Sequence, residues 1–164
     1  MNYLTTPLVP LIEVQVHCGL SQNITNKEYD RFILTSQNTM LREQLGEDLV
    51  DALIDYVVDM PVDANLEALL ENYVKPLLSH DSFVHYAPQA SMKSVKAGVK
   101  RMVGESTENG ARNEFSNVTS LHQKNSDAYL KRMLAFLELN LEIYPLYASK
   151  CVPILKRSIF TSKG

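Results

Sequence analysis

The chain has 164 residues, of which 45% are hydrophobic and 21% charged, with a formal net charge of −3. That is enough for one domain with a substantial core and too few for two comfortable ones, and the balance excludes a disordered chain. The slight negative charge excludes an overall cationic field that would draw the protein to nucleic acid.

Charge is distributed unevenly. Between Arg42 and Glu71 lie nine acids and that single base. Lys93, Lys96, Lys100 and Arg101 form a basic segment without an acid, and Lys150, Lys156, Arg157 and Lys163 follow Tyr147 in the same way. Segments of opposite sign can complement neighbouring copies of the chain, and they can equally be solvated faces. Cys18 and Cys151 have no CxxC or Cys/His spacing, which argues against a disulfide framework and for a reducing compartment. Met1 to Pro10 lacks the basic start and apolar centre of a signal peptide, and no apolar run approaches a bilayer span. The expectation is a soluble chain made in the cytoplasm, with no membrane partner.

Residues 1–26 read as an extended arm. Pro7 and Pro10 bracket its start, and from Ile12 to Val16 apolar and polar residues alternate at period two, as in a short strand. Thr25 or Asn26 then caps a helix expected over 27–45, with Glu28 at its positive end. Tyr29, Phe32, Ile33, Ser36 and Met40 share one face, Leu41 and Leu45 extend it, and Gly46 stops it. A second helix starts at Glu47-Asp48 and ends before Pro61. Leu49, Leu53, Tyr56 and Val57 form its apolar face, and Val50, Ile54 and Val58 widen it. Only Asp48, Asp51, Asp55 and Asp59 stay polar, on one narrow stripe.

Asp63 or Asn65 caps a third helix through Leu66, Leu69, Leu70, Tyr73, Val74, Leu77 and Leu78. Pro76 inside that pattern predicts a kink or break. The apolar run continues through Phe83, Val84 and Tyr86, and Pro88 closes it. Residues 91–116 read as a long loop or β-hairpin with a polar tip. A fourth helix is expected over about 117–141, with Leu121, Leu130, Met133, Leu134, Leu137 and Leu141 on its stripe. The fold class is therefore mainly α: a four-helix domain over 27–147 between extended N- and C-terminal arms. The arm at 148–164 is apolar and basic, Pro153 argues against a continuous helix there, and it is suited to lying on another subunit.

No catalytic constellation emerges, so the chain reads as a non-enzyme without cofactor or metal. His80 and His85 are five apart and do not share a helix face as ligands. His17 and Cys18 would point apart in a strand, and His122 stands in a polar stretch. Gly104 to Gly110 resembles a phosphate loop only superficially, because it carries two acids and lacks the Lys-Ser/Thr that follows such loops. The acidic stripe reads as a surface ridge rather than a cation site. A helix-turn-helix at Gly46 would have an acidic reading helix, which argues against major-groove recognition. Sequence-blind contact of the 93–101 bases with DNA is left open.

Four pieces in order carry a family resemblance. They are Ile33-Leu34-Thr35-Ser36-Gln37 leading to Leu41, and Leu45-Gly46-Glu47-Asp48-Leu49-Val50-Asp51-Ala52-Leu53. Then come Val74-Lys75-Pro76-Leu77-Leu78 running into Tyr86, and Leu137-Glu138-Leu139-Asn140 with Tyr144-Pro145-Leu146-Tyr147. With the Lys/Gly-containing segment between the last two helices, the chain over about 24–147 resembles the head–tail connector (adaptor or head-completion) proteins of tailed bacteriophages, especially crAss-like and related phages of Bacteroidetes.

The resemblance implies a helical subunit of the virion neck. Its copies would form a ring on the portal protein, contact the next neck or tail protein, and let genome DNA pass through the lumen. On that reading Tyr144, Tyr147, Leu155, Ile159 and Phe160 would anchor the subunit on the portal or a neighbour. The stripe Asp48, Asp51, Asp55 and Asp59 would face a neighbour or the lumen. Lys93, Lys96, Lys100 and Arg101 would meet a neighbour or DNA. The alternative is a small helical protein-binding module or regulator that forms no ring.

Overall fold

Pro10 turns the chain from an extended entry into a helix: its backbone is extended (φ −72°, ψ 146°), and its carbonyl accepts the amides of Glu13 and Val14. In the computed structural model, which describes residues 5–147 apart from 91, 96–97 and 102–107, this helix is α1 (Leu11–Cys18). The expected strand or extended arm is thus corrected. Leu11 and Val14, three apart, are buried, while Ile12 and Val16 stand exposed. The two-residue alternation mixed buried and exposed apolar positions, and the true period is that of a helix. Gly19 ends α1 in the left-handed conformation at φ +65°.

Three helical segments follow. The first is α2 (Asn26–Ser36), a π-helical turn at Gln37–Leu41 and α3 (Arg42–Leu45) in one run. Thr25 and Glu28 form a capping box at its start. The extra residue of the π turn shifts the apolar phase by one, so that Leu41 rather than Met40 follows Ser36 into the core and Leu45 continues the row. Gly46, at φ +87°, separates α3 from α4 (Glu47–Asp59). Arg42, buried, bridges that break: its guanidinium pairs with Glu47 and, at 2.7 Å, with Asp51, while its Nε donates to Asn38.

Asp63 caps α5 (Ala64–Leu69) by accepting the amides of Asn65 and Leu66. A second π turn at Leu70–Val74 leads into α6 (Lys75–Ala90). Pro76 therefore neither breaks nor ends the rod. The turn just before it widens, with the Lys75 amide reaching the Leu70 carbonyl, which accommodates a ring that would otherwise press on the preceding turn. Pro88 likewise lies inside α6.

A short antiparallel ribbon, β1 (Met92–Val95) with β2 (Gly98–Arg101), pairs Lys93 with Lys100. The last helix, α7 (Glu108–Leu139), begins earlier than the expected start near 117. The polar, glycine-containing residues before 117 hid its first turns from an apolar-period reading.

The architecture is mainly α-helical, as the periodicity predicts. α6 is its centre and packs against α1, α2 and α7. Leu8 and Val9 from the entry, Ile33, Leu53, Leu77 and Met133 meet in one core. Full burial of such side chains stabilises by about 1.5–3 kcal/mol each before conformational entropy is set against it.

Candidate functional site

α1, α6 and α7 converge on three side chains that the sequence separates widely. Cys18, in the last turn of α1, places its Sγ 3.6 Å from His80 Nδ1 on α6, and that nitrogen lies 2.9 Å from His122 Nδ1 on α7. One potential ligand atom from each residue lies within 4.8 Å of the other two. The helices are held there by packing: the His122 ring sits 4.1 Å from the Phe83 ring, and Tyr129 flanks His80 at 5.8 Å. Both histidines are 7% exposed, and Cys18 is half-buried.

The electrostatics favour neutral groups. Burial pushes the Cys18 thiol up to about 12, and the thiol donates to the Ser79 carbonyl at 3.2 Å. Burial lowers His80 to about 4, with the charges of His122 and His17 acting in the same direction, and burial lowers His122 as well. Two neutral imidazoles facing through Nδ1 at 2.9 Å share one proton between them, so the two rings are opposite tautomers.

The expectation of no metal-ligating set is revised by this geometry. His17 and Cys18 lie on a helix, so Cys18 turns inward while exposed His17 meets His80 only ring to ring, at 6.4 Å. His122 is buried although it stands in a polar stretch. Separations of 62 and 42 residues leave no local spacing from which the cluster could be read. His85 lies apart from it, its Nε2 3.5 Å from Asp81 Oδ2.

The residues expected at subunit interfaces fall out differently. Tyr144 and Tyr147 are corrected from surface anchors to core residues: both are buried, Tyr144 packs on Phe136, and its hydroxyl donates to the Asn65 carbonyl at 2.9 Å. The acidic ridge is not uniform. Asp48 and Asp59 are exposed and Asp55 half-buried, while Asp51 is engaged by Arg42 inside the subunit. Lys93, Lys100 and Arg101 belong to the ribbon; Lys96, Leu155, Ile159 and Phe160 lie outside the described residues.

Two other surfaces stand out. A groove of about 480 Å³ is lined by Pro7, Pro10, Tyr56, Val57, Met60 and Lys75 among others. Lys75 is already bonded to Glu13 at 2.8 Å and to Glu71 at 2.5 Å. Burial works against its charge, but those two acids outweigh it and raise its pKa. The second surface is apolar. The Tyr144–Asn65 bond ties the segment that follows α7 to the start of α5. Near that junction Met60, Val62, Leu139, Ile143 and Leu146 are exposed, Val62 completely. Met60 also holds a left-handed backbone, φ +47°, which an L-residue adopts at a cost of about 1–3 kcal/mol.

These features define a helical domain with exposed apolar residues and a thiol–imidazole cluster whose histidines are buried. The chain belongs to a family of unknown function (DUF6712), whose profile matches residues 41–154. No curated protein and no solved structure matches it.

Proposed function

We propose that this protein is a structural subunit of a tailed-phage neck, forming a ring on the portal protein that connects capsid to tail and lets DNA pass. The observation that carries the reading within the fold is the exposure of Met60, Val62, Leu139, Ile143 and Leu146, on the two segments that the Tyr144–Asn65 bond joins. Exposed apolar residues on neighbouring segments suit a surface for another protein. A methionine in the left-handed position after α4, where glycine would be free of strain, supports selection for the side chain at that point. The ordered set of four sequence motifs supplies the class of partner.

In this reading the helical core is a rigid wedge. Asp48 and Asp59 face a neighbour or the lumen, where acids would keep DNA from sticking. The basic ribbon meets the adjacent copy, and residues 148–164 form the anchoring arm. A ring needs only modest contacts, because each subunit is held by two neighbours and the portal together.

Native mass spectrometry of the chain co-expressed with the phage's portal protein tests the proposal. A portal ring carrying a symmetric complement of this subunit is the expected result. Absence of any portal-bound species at low and moderate salt, even with the other neck proteins present, would refute it. Binding to one non-portal partner without ring formation would replace it with a small binding module.

A further inference from the structure

We propose that Cys18, His80 and His122 form a binding site for one borderline-soft divalent cation, with zinc as its natural match, and that the ion clamps α1 onto α6 and α7.

The donor set and its geometry carry the assignment. A thiolate with two neutral imidazoles suits zinc better than the hard, oxygen-preferring cations. Around a tetrahedral zinc with ordinary Zn–N and Zn–S distances, neighbouring N and S atoms lie about 3.6 Å apart and two N atoms about 3.3 Å apart. The observed Cys18 Sγ to His80 Nδ1 separation is 3.6 Å. The His80 to His122 Nδ1 separation is 2.9 Å and the Cys18 to His122 edge lies within 4.8 Å, so side-chain movements of up to about 1.2 Å bring the other two edges to that geometry. The three side chains come from three different helices, so the ion would add a crosslink to elements otherwise joined by packing and a few hydrogen bonds. Half-burial of Cys18 leaves an approach from solvent, and water would take the fourth coordination position.

The proton inventory closes. Binding releases the thiol proton to solvent and leaves a thiolate on the metal. The proton now shared between the two Nδ1 atoms moves to the far nitrogen of its ring, so both histidines ligate as neutral imidazoles with a proton on Nε2.

The test uses the full-length protein, stripped with a chelator and dialysed. Zinc is titrated in competition with a chromogenic chelator, and cobalt(II) is titrated while the near-ultraviolet and visible spectra are recorded. The expected result is one ion per chain, a cobalt spectrum with a thiolate-to-metal charge-transfer band, and a higher Tm with zinc. Cys18→Ser should abolish the charge-transfer band, and Cys18→Ser and His122→Gln should each weaken zinc binding at least tenfold. His85→Gln, outside the cluster, should stay within about threefold of wild type. Circular dichroism checks that the variants fold; should one fail to fold, the wild-type cobalt spectrum alone decides. Lack of stoichiometric uptake by the wild type, or uptake without a thiolate band, would overturn the proposal. So would zinc affinity unchanged in folded Cys18→Ser, which would assign the binding to exposed histidines.

Discussion

The carboxamide of Gln37 holds the backbone around Leu8: its Oε1 accepts the Leu8 amide at 3.0 Å, while its Nε2 donates to the Thr6 carbonyl at 3.0 Å. Gln37 is fully buried and opens the π turn that follows α2, so a helix defect and the chain entry are joined by one side chain. It supplies hydrogen bonds that a regular helix or strand would otherwise give to this irregular segment.

Gln37→Ala should destabilise the protein by about 1–3 kcal/mol, because it leaves the buried Leu8 amide without its acceptor. Urea unfolding measures the loss, and hydrogen exchange at Leu8 should quicken more than exchange in α7. An unchanged denaturation midpoint would show that the entry does not contribute to the folded core.

Tyr144 separates fold from assembly at the end of the described chain. Tyr144→Phe should cost about 0.5–1.5 kcal/mol, the net value of its hydroxyl's bond to Asn65. Removing residues 148–164 should leave cooperative unfolding intact, since Tyr144 and Tyr147 precede the cut and complete this part of the core. The truncated protein should nonetheless fail to enter phage particles. Incorporation at wild-type levels would refute the anchoring arm.

Val62 and Leu139 give the complementary case. Both side chains are strongly exposed, so Val62→Asp and Leu139→Asp should change stability by no more than about 0.5 kcal/mol. Together they should remove the subunit from portal rings in native mass spectrometry. Met60→Gly should relieve the left-handed strain and raise Tm while weakening the same assembly. Undiminished ring occupancy in these variants would move the interface elsewhere.

The capping box gives a signed pH dependence. Backbone and side-chain hydrogen bonds from Thr25 hold the Glu28 carboxylate below its ordinary value of 4.5, and Arg31 adds to this. A carboxylate whose folded value is depressed stabilises the fold above its unfolded value and loses that contribution as pH falls through the folded one. The start of α2 should therefore fray in acid, below the ordinary carboxylate range. Amide exchange at residues 26–29 measures this, and Thr25→Ala should diminish the pH dependence. An identical acid profile in that variant would contradict the assignment.

Much of the helical frame was legible because its signals are local. Tyr29, Phe32, Ile33 and Ser36 keep helical spacing and are all buried, Asp63 caps where a capping residue stands, and Gly46 interrupts where a glycine stands. The exceptions are non-local. Ile12 and Val16 are apolar yet exposed, which made α1 look like a strand. The register change at Gln37–Leu41 comes with a Gln37 bond to the entry segment 31 residues earlier, which no local pattern announces. Tyr144 and Tyr147 look like interface anchors after Asn140 until the turn at 140–144 folds them back. The Cys18, His80 and His122 cluster depends on three helices meeting, and no short motif encodes that meeting.

The placement of α1 has a consequence in time. Its buried face, Leu11 and Val14, docks mainly on α6, and Cys18 is 62 residues before His80. A ribosome adding roughly 5–20 residues per second needs several seconds to make that intervening stretch. Throughout that interval the first helix has no completed surface to rest on, and an eight-residue helix is marginal in water by itself. A segment synthesised well before its partner is therefore among the last to settle, and its apolar face is open to whatever meets the nascent chain first.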